Sequence, residues 1–139
     1  MKNNIDAHEN ILALIGNTPL IKLNKSVSDY TGEFFAKYEA NNPGHSNKDR
    51  IALHIVETAE KEGLINKNTT IIETSSGNTG FSLSMVAMVK GYKCIVAVSN
   101  KSSKDKIDML KSMGAKVYVC PANVLISFVH VSVASPYSP

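Results

Sequence analysis

Two short stretches carry residue types that could do chemistry. The first is Asn42-Pro43-Gly44-His45-Ser46-Asn47-Lys48-Asp49-Arg50, a turn that runs into the start of a helix with a lysine at the junction. A helix start presents unpaired backbone N–H groups and the positive end of the helix dipole, which disfavour an ammonium and favour a neutral, nucleophilic amine. Such an amine suits Schiff-base formation with a carbonyl. The second stretch is Thr74-Ser75-Ser76-Gly77-Asn78-Thr79-Gly80. Ser75, Ser76, Asn78 and Thr79 place three hydroxyls and an amide at another helix start, and glycines there let a ligand approach backbone N–H groups that suit a carboxylate or phosphate. The stretch is neither a Walker loop nor a dinucleotide fingerprint, because the required lysine and glycine spacings are absent. A solvated lysine and an ordinary capped helix would account for each stretch separately. An amine and an anion site in one sheet unit favour chemistry.

The elements that must position these residues follow from periodicity and punctuation. Pro43-Gly44 closes a preceding run, and Ser46 with Asp49 reads as a capping box opening the apolar series Ile51, Ala52, Ile55, Val56 and Ala59, which should run to about Glu62 and stop at Gly63. Thr70–Glu73 reads as a β-branched strand, Phe81–Lys90 as a largely buried helix ended by Gly91, and Lys93–Val98 as a strand. Ser102 with Asp105 is predicted to cap a further helix that ends at Gly114, and Lys116–Cys120 forms the next strand. Alternation of strand and helix with long connections predicts parallel pairing and an α/β fold with flanking helices. Ligands in such sheets sit beyond the carboxyl ends of strands, where residues 74–80 fall. Upstream, a Gly-Asn-Thr-Pro turn within Ile15–Leu23 feeds a short strand, and Glu33–Glu39 reads as a second strand.

Composition excludes several classes. A net charge of +3 over 139 residues, with 19% charged residues spread along the chain, gives no basic patch for nucleic acid. Met1–Asn10 lacks the apolar core of a signal peptide, and no apolar run suggests a membrane span, so a cytoplasmic setting is expected. Cys94 and Cys120 sit in separate strand-like runs without metal-ligand spacing and are expected to be buried free thiols. His45 has no partner ligand at metal spacing, and no metal is expected.

Several motifs together give the chain its resemblance to the cysteine synthase and cystathionine beta-synthase family of type II pyridoxal-phosphate enzymes. They are Ile15–Leu20 (IGNTPL), Asn42–Arg50, Ala59–Leu64 (AEKEGL), Thr70–Gly80 (TIIETSSGNTG), Gly91-Tyr92-Lys93 and Met113-Gly114-Ala115, in family order and covering nearly everything from Ile11 to Asn123. The resemblance implies a tryptophan synthase beta-like fold, present as its N-terminal part, with pyridoxal 5'-phosphate as cofactor. It implies that Lys48 holds the cofactor as a Schiff base and later takes the substrate α-proton, and that Asn78 contacts the cofactor ring hydroxyl. Ser75, Ser76, Asn78 and Thr79 would bind the carboxylate of serine or O-acetylserine, and sulfide or another thiol would add at the β-carbon. A homodimer is also implied. The close alternatives are a cystathionine beta-synthase-like enzyme and an inactive fragment that acts by association with a partner through an unpaired sheet edge.

This sequence departs from the family at His45 (usually glycine), Asn47 (frequently valine), Thr74 (frequently proline), Ser75 (usually threonine) and Ser99-Asn100 (commonly proline-glutamate). Family pattern stops near Val124, and Leu125–Pro139 contains no Asp, Glu, Lys or Arg. The expected organisation is therefore residues 1–40 as a segment whose two strands pack on a larger domain, 41–123 as a small α/β domain with the lysine and substrate loop, and 124–139 as an atypical tail. On that expectation the chain is truncated. It would hold one wall of an active site and lack the glycine-rich phosphate cradle and the residue facing the pyridine nitrogen, leaving it weakly active or inactive alone.

Overall fold

Apolar, β-branched runs in the second half of the chain pair as the periodicity predicts. The computed structural model describes residues 7–75, 77–121 and 132–134. After β1 (Leu20–Lys22) and β2 (Phe35–Lys37), the order is α1 (Lys48–Lys61), β3 (Thr70–Glu73), α2 (Asn78–Lys90), β4 (Lys93–Ser99), α3 (Lys104–Ser112), β5 (Lys116–Cys120) and β6 (Ser132–Ala134). The main sheet has the order β5-β4-β3-β6. β3 pairs parallel to β4 with Ile71 opposite Cys94 and Glu73 opposite Val96, and β4 pairs parallel to β5.

Helix α2 is the spine of this unit. Leu83, Val86 and Ala87 are completely buried, as are Ser82 and Ser84. Ser84 avoids an orphaned hydroxyl by donating to the Gly80 carbonyl at 2.7 Å, one turn back. The helix ends at Gly91, whose φ of +77° suits glycine, and Tyr92 N–H then closes onto the Ala87 carbonyl at 2.9 Å. Cys94, Val96 and Val98 alternate on the buried face of β4. Ser84 Oγ lies 3.8 Å from Cys94 Sγ, so this face of the sheet is the one against α2. Helix α1 packs on α2, and α3 covers β5.

Four sequence expectations need correction. Helix α2 begins at Asn78 rather than Phe81, so Asn78 and Thr79 belong to its first turn. The Ser46–Asp49 capping box does not close: Asn47 is the N-cap without a side-chain bond, and Asp49 is drawn inward by buried donors. Ser102 and Asp105 do not form one either, since Ser103 is the N-cap of α3 and the Ser102 hydroxyl is buried without a partner. β6 pairs antiparallel to β3 with Val133 opposite Ile71, and among the described residues β5 keeps an open edge. The rest of the tail lies outside the described residues. Both cysteines are free, but Cys120 is only half-buried.

The second N-terminal strand is shorter than the periodicity suggests. β1 and β2 form a separate antiparallel pair, Ile21 opposite Ala36, in which Leu20 is 63% and Phe35 50% exposed. Their apolar side chains lack a layer to pack on.

Glu73 stands at the carboxyl end of β3, fully buried with neither carboxylate oxygen hydrogen-bonded. Burial pushes its carboxyl above the usual range; the adjacent Thr74 N–H opposes this without reaching bonding geometry to those oxygens. The folded chain therefore holds a proton that the unfolded chain releases above its ordinary 4.5, and stability from this group is complete below that pH and falls as pH rises. Glu73→Gln should gain on the unchanged chain between pH 5 and about 8, read as urea midpoints at the two pH values. An equal difference at both would mean that the folded carboxyl is already ionised at pH 5, as it is in the unfolded chain.

Candidate active site

Lys48 is the first residue of α1 and is half-buried. Its backbone N–H donates to Ser46 Oγ at 3.2 Å, which satisfies one of the orphan donors of the helix start. Among the described residues its Nζ forms no hydrogen bond or ion pair, so no carboxylate competes for the amine. The turn ahead of it holds His45 at φ +57°, a left-handed conformation disfavoured for a side chain with a Cβ. His45 Nδ1 lies 3.1 Å from the Ala40 carbonyl, which can only accept, so Nδ1 carries the proton of that bond.

The turn is fixed from two directions. Arg50 forks onto Glu39, with Nε 2.8 Å from Oε2 and an NH2 contact of 3.0 Å to Oε1, while the same NH2 group reaches Thr18 Oγ1 at 3.0 Å. Thr18 donates to Glu39 Oε1 at 2.6 Å. Asn42, almost fully buried, donates to Glu39 and to the Ser46 carbonyl and accepts from Gly16 N–H at 2.8 Å. These contacts bolt residues 16–18 to the lysine turn. The Arg50 guanidinium is the largest cause holding the Glu39 carboxyl at about 2. From the inside, Asp49 accepts from Gly44 N–H at 2.5 Å and from Ser82 Oγ at 2.5 Å.

The second stretch is a strand-to-helix crossing. Gly77 is the N-cap of α2, and its N–H donates to Ser75 Oγ at 3.1 Å. Gly80 is required by crowding: a Cβ there would lie 2.0 Å from the Ser75 carbonyl oxygen. The first-turn N–H groups of α2 have no intrahelical acceptors, which makes this end an anion seat. A cleft of about 490 Å³ runs between the two stretches, lined by Pro43, Gly44 and His45 on one side and by Gly77, Asn78 and Phe81 on the other. Met109 and Met113 from the α3 region form its apolar floor, with Lys106 beside them.

The structure therefore brings the Lys48 turn and Asn78 to one cleft. Lys48, Ser75 and Thr79 adjoin it in the chain but do not line it; Ser76 lies outside the described residues. Sequence reasoning missed Asp49 as a buried link, and Glu39, Asn42 and Ser82 as its supports. The one available signal was an acidic residue directly after the lysine, which a surface cap explains equally well. Among the described residues no cluster of His, Cys, Asp and Glu could hold a metal ion, and no helix is long and apolar enough to cross a membrane.

The parallel β3-β4-β5 core thus carries Lys48 at the start of α1 and a glycine-flanked start of α2 beyond β3, and the turn before the lysine shares a cleft with that second start. A family model described as pyridoxal-phosphate dependent enzyme matches residues 11–132, and the chain belongs to that family. It is 48% identical over 128 residues to cystathionine beta-synthase of Apis mellifera, covering 89% of this chain and 25% of that protein. Cysteine synthase 1 of Neurospora crassa is 49% identical over 109 residues, covering 78% and 29%. A crystal structure of a hydrogen sulfide-producing enzyme from Fusobacterium nucleatum superposes with a TM-score of 0.79 at 42% identity, over 85% of this chain and 39% of that one. The chain thus spans roughly a quarter to two fifths of the length of these relatives. The residues present fit the cofactor: among the described residues nothing competes for the Lys48 amine, and the turn before it borders a cleft of about 490 Å³.

The Glu39–Arg50 pair gives this site an acid limit. A carboxyl held at about 2 when folded and near 4.5 when free contributes stability above pH 4.5, and that contribution disappears as pH falls toward 2. Glu39→Gln should flatten the loss of stability across this window while leaving the slope above pH 5 unchanged. Acid titration of the circular dichroism signal reads the difference, and parallel acid limbs would show that the pair does not govern it.

Proposed function

We propose that the chain is the lysine-bearing part of an enzyme that performs β-replacement on serine or an activated serine such as O-acetylserine, with sulfide or another thiol as the incoming group. The observation that carries this reading is the unpaired Lys48 amine at a helix start whose preceding turn shares a cleft with the α2 N-terminus. When bound, pyridoxal phosphate supplies an electron sink for charge that develops at the substrate α-carbon. Lys48 Nζ holds the cofactor through its carbonyl and, once free, takes the α-proton. Ser75, Ser76, Asn78 and Thr79 hold the substrate carboxylate at the start of α2, which fixes the α-carbon relative to Lys48. Asn78 also reaches the cofactor ring hydroxyl. The group lost from the β-carbon leaves with its bonding pair, the thiol sulfur forms the new bond there as it gives up its proton, and Lys48 returns a proton to the α-carbon. A cystathionine beta-synthase-like reaction, with an amino-acid thiol as the incoming group, is favoured equally by the identities to relatives of both names. Either reaction would be carried out in the cytoplasm, by a homodimer of the longer protein.

Incubation with pyridoxal phosphate followed by borohydride reduction and peptide mass analysis tests the amine. Lys48 should carry the reduced label well above the other lysines, and Lys48→Ala should lose that site without a change in melting temperature. In a β-replacement assay the same substitution should cost about 10²–10⁴-fold or more, the usual share of a positioned general base. Even labelling across all lysines would overturn the assignment.

A further inference from the structure

We propose that Asp49 is a positioning residue that locks the turn before Lys48 to the helix start on the opposite side of the cleft, so that both walls are set by one carboxylate. This rests on the reading of Lys48 as the cofactor-holding amine. Asp49 is completely buried, and among the described residues no Lys, Arg or His pairs with it. A carboxylate can only accept, and each of its oxygens meets a donor: Oδ2 the Gly44 N–H and Oδ1 the Ser82 hydroxyl, both at 2.5 Å.

These two donors belong to the two walls. Gly44 lies between Pro43 and His45 on the lysine side of the cleft, and Ser82 stands one helical turn beyond Asn78 on the other. Asp49 itself follows Lys48 in the first turn of α1. Moving either wall therefore strains a short charge-assisted bond to the residue that adjoins the amine.

The fit leaves no slack on the turn side. A Cβ on Gly44 would come within 2.2 Å of Asp49 Oδ1 and 2.8 Å of its Cγ, so even an alanine there must push the carboxylate off its place. A buried charge without a cation is an expensive way to join two helices, since apolar packing would do so without the desolvation cost. What the carboxylate adds is direction: it holds two donors at fixed angles, and apolar contacts do not.

The test perturbs the link from both ends. Gly44→Ala acts from the turn and Ser82→Ala from α2; Gly44 lines the cleft and Ser82 does not, so what the two variants share is their contact with Asp49. Each variant and the double variant are labelled with pyridoxal phosphate and borohydride at a temperature where circular dichroism shows them fully folded, and labelling of Lys48 is expressed relative to the other lysines. A displacement of the amine by a fraction of an ångström to 1 Å should lower that ratio about tenfold or more in each single variant. The double variant should fall no further than the worse single one, because both act through Asp49. A ratio unchanged from the parent chain in either folded single variant, or losses that multiply in the double, would overturn the proposal. If the unsubstituted chain itself shows no preference for Lys48, the assignment of the amine fails and the positioning role goes with it. Preference retained in the variants removes the positioning role alone.

Discussion

A carboxylate buried without a cation constrains everything within reach of it. Asp49 must find donors in the interior, and the two it finds come from a turn and from a different helix. Gly44 then has to be glycine-sized, because the carboxylate occupies the space of a Cβ. Ser82 has to carry a hydroxyl although it lies in the fully buried stretch of α2. The approach of α1 to α2 follows, and with it the separation of the cleft's two walls.

A second layer of polar contacts holds the same turn from outside. Glu39, Arg50, Thr18 and Asn42 exchange hydrogen bonds across more than 30 residues of chain, from Thr18 to Arg50. The positive φ values of Gly16 and Asn17 bring that segment round so that Gly16 N–H meets Asn42. A Cβ on Gly16 would touch the Arg50 guanidinium at 3.1 Å, so the close approach depends on its absence. Interior and exterior anchors thus differ in kind. The inner one is insensitive to salt because water is excluded; the outer one is partly solvated, and its ion pair weakens with ionic strength and acid.

The parallel core was legible because each element carries its own period and stop. Residues 70–73 and 93–98 are too short and β-branched for helices, and Gly63, Gly91 and Gly114 end the helices with φ between +69° and +80°. The lysine and the anion seat were legible as types at helix starts. What local sequence could not show was direction. Asp49 three residues after Ser46 has the spacing of a cap, and only the arrival of Ser82, 33 positions later, turns it inward. The same limit explains α3, where Ser102 and Asp105 have cap spacing while tertiary packing starts the helix one residue later. β6 was illegible for a different reason: an antiparallel edge partner depends on which edge lies vacant, and that is a property of the assembled sheet.

The charge of the ligands sets how much of a site these residues can make. A helix start supplies roughly half a positive charge and a few N–H donors, which balances one carboxylate. A cofactor phosphate carries about −1.5 to −2 charges and needs a donor set of its own. With the α2 start given to the substrate, the phosphate must be held elsewhere, and the cleft's remaining described lining is apolar apart from Lys106, His45 and Ser112. Lys106 is exposed, on a flexible stem, and supplies charge without the fixed directions of backbone donors. On the proposed roles of Lys48 and the α2 start, this wall would serve the amine and the carboxylate, and the energy that seats the phosphate would come from donors outside it. The exposed apolar residues of β1 and β2 fit that division, since surface of this kind is stable only when a further layer covers it.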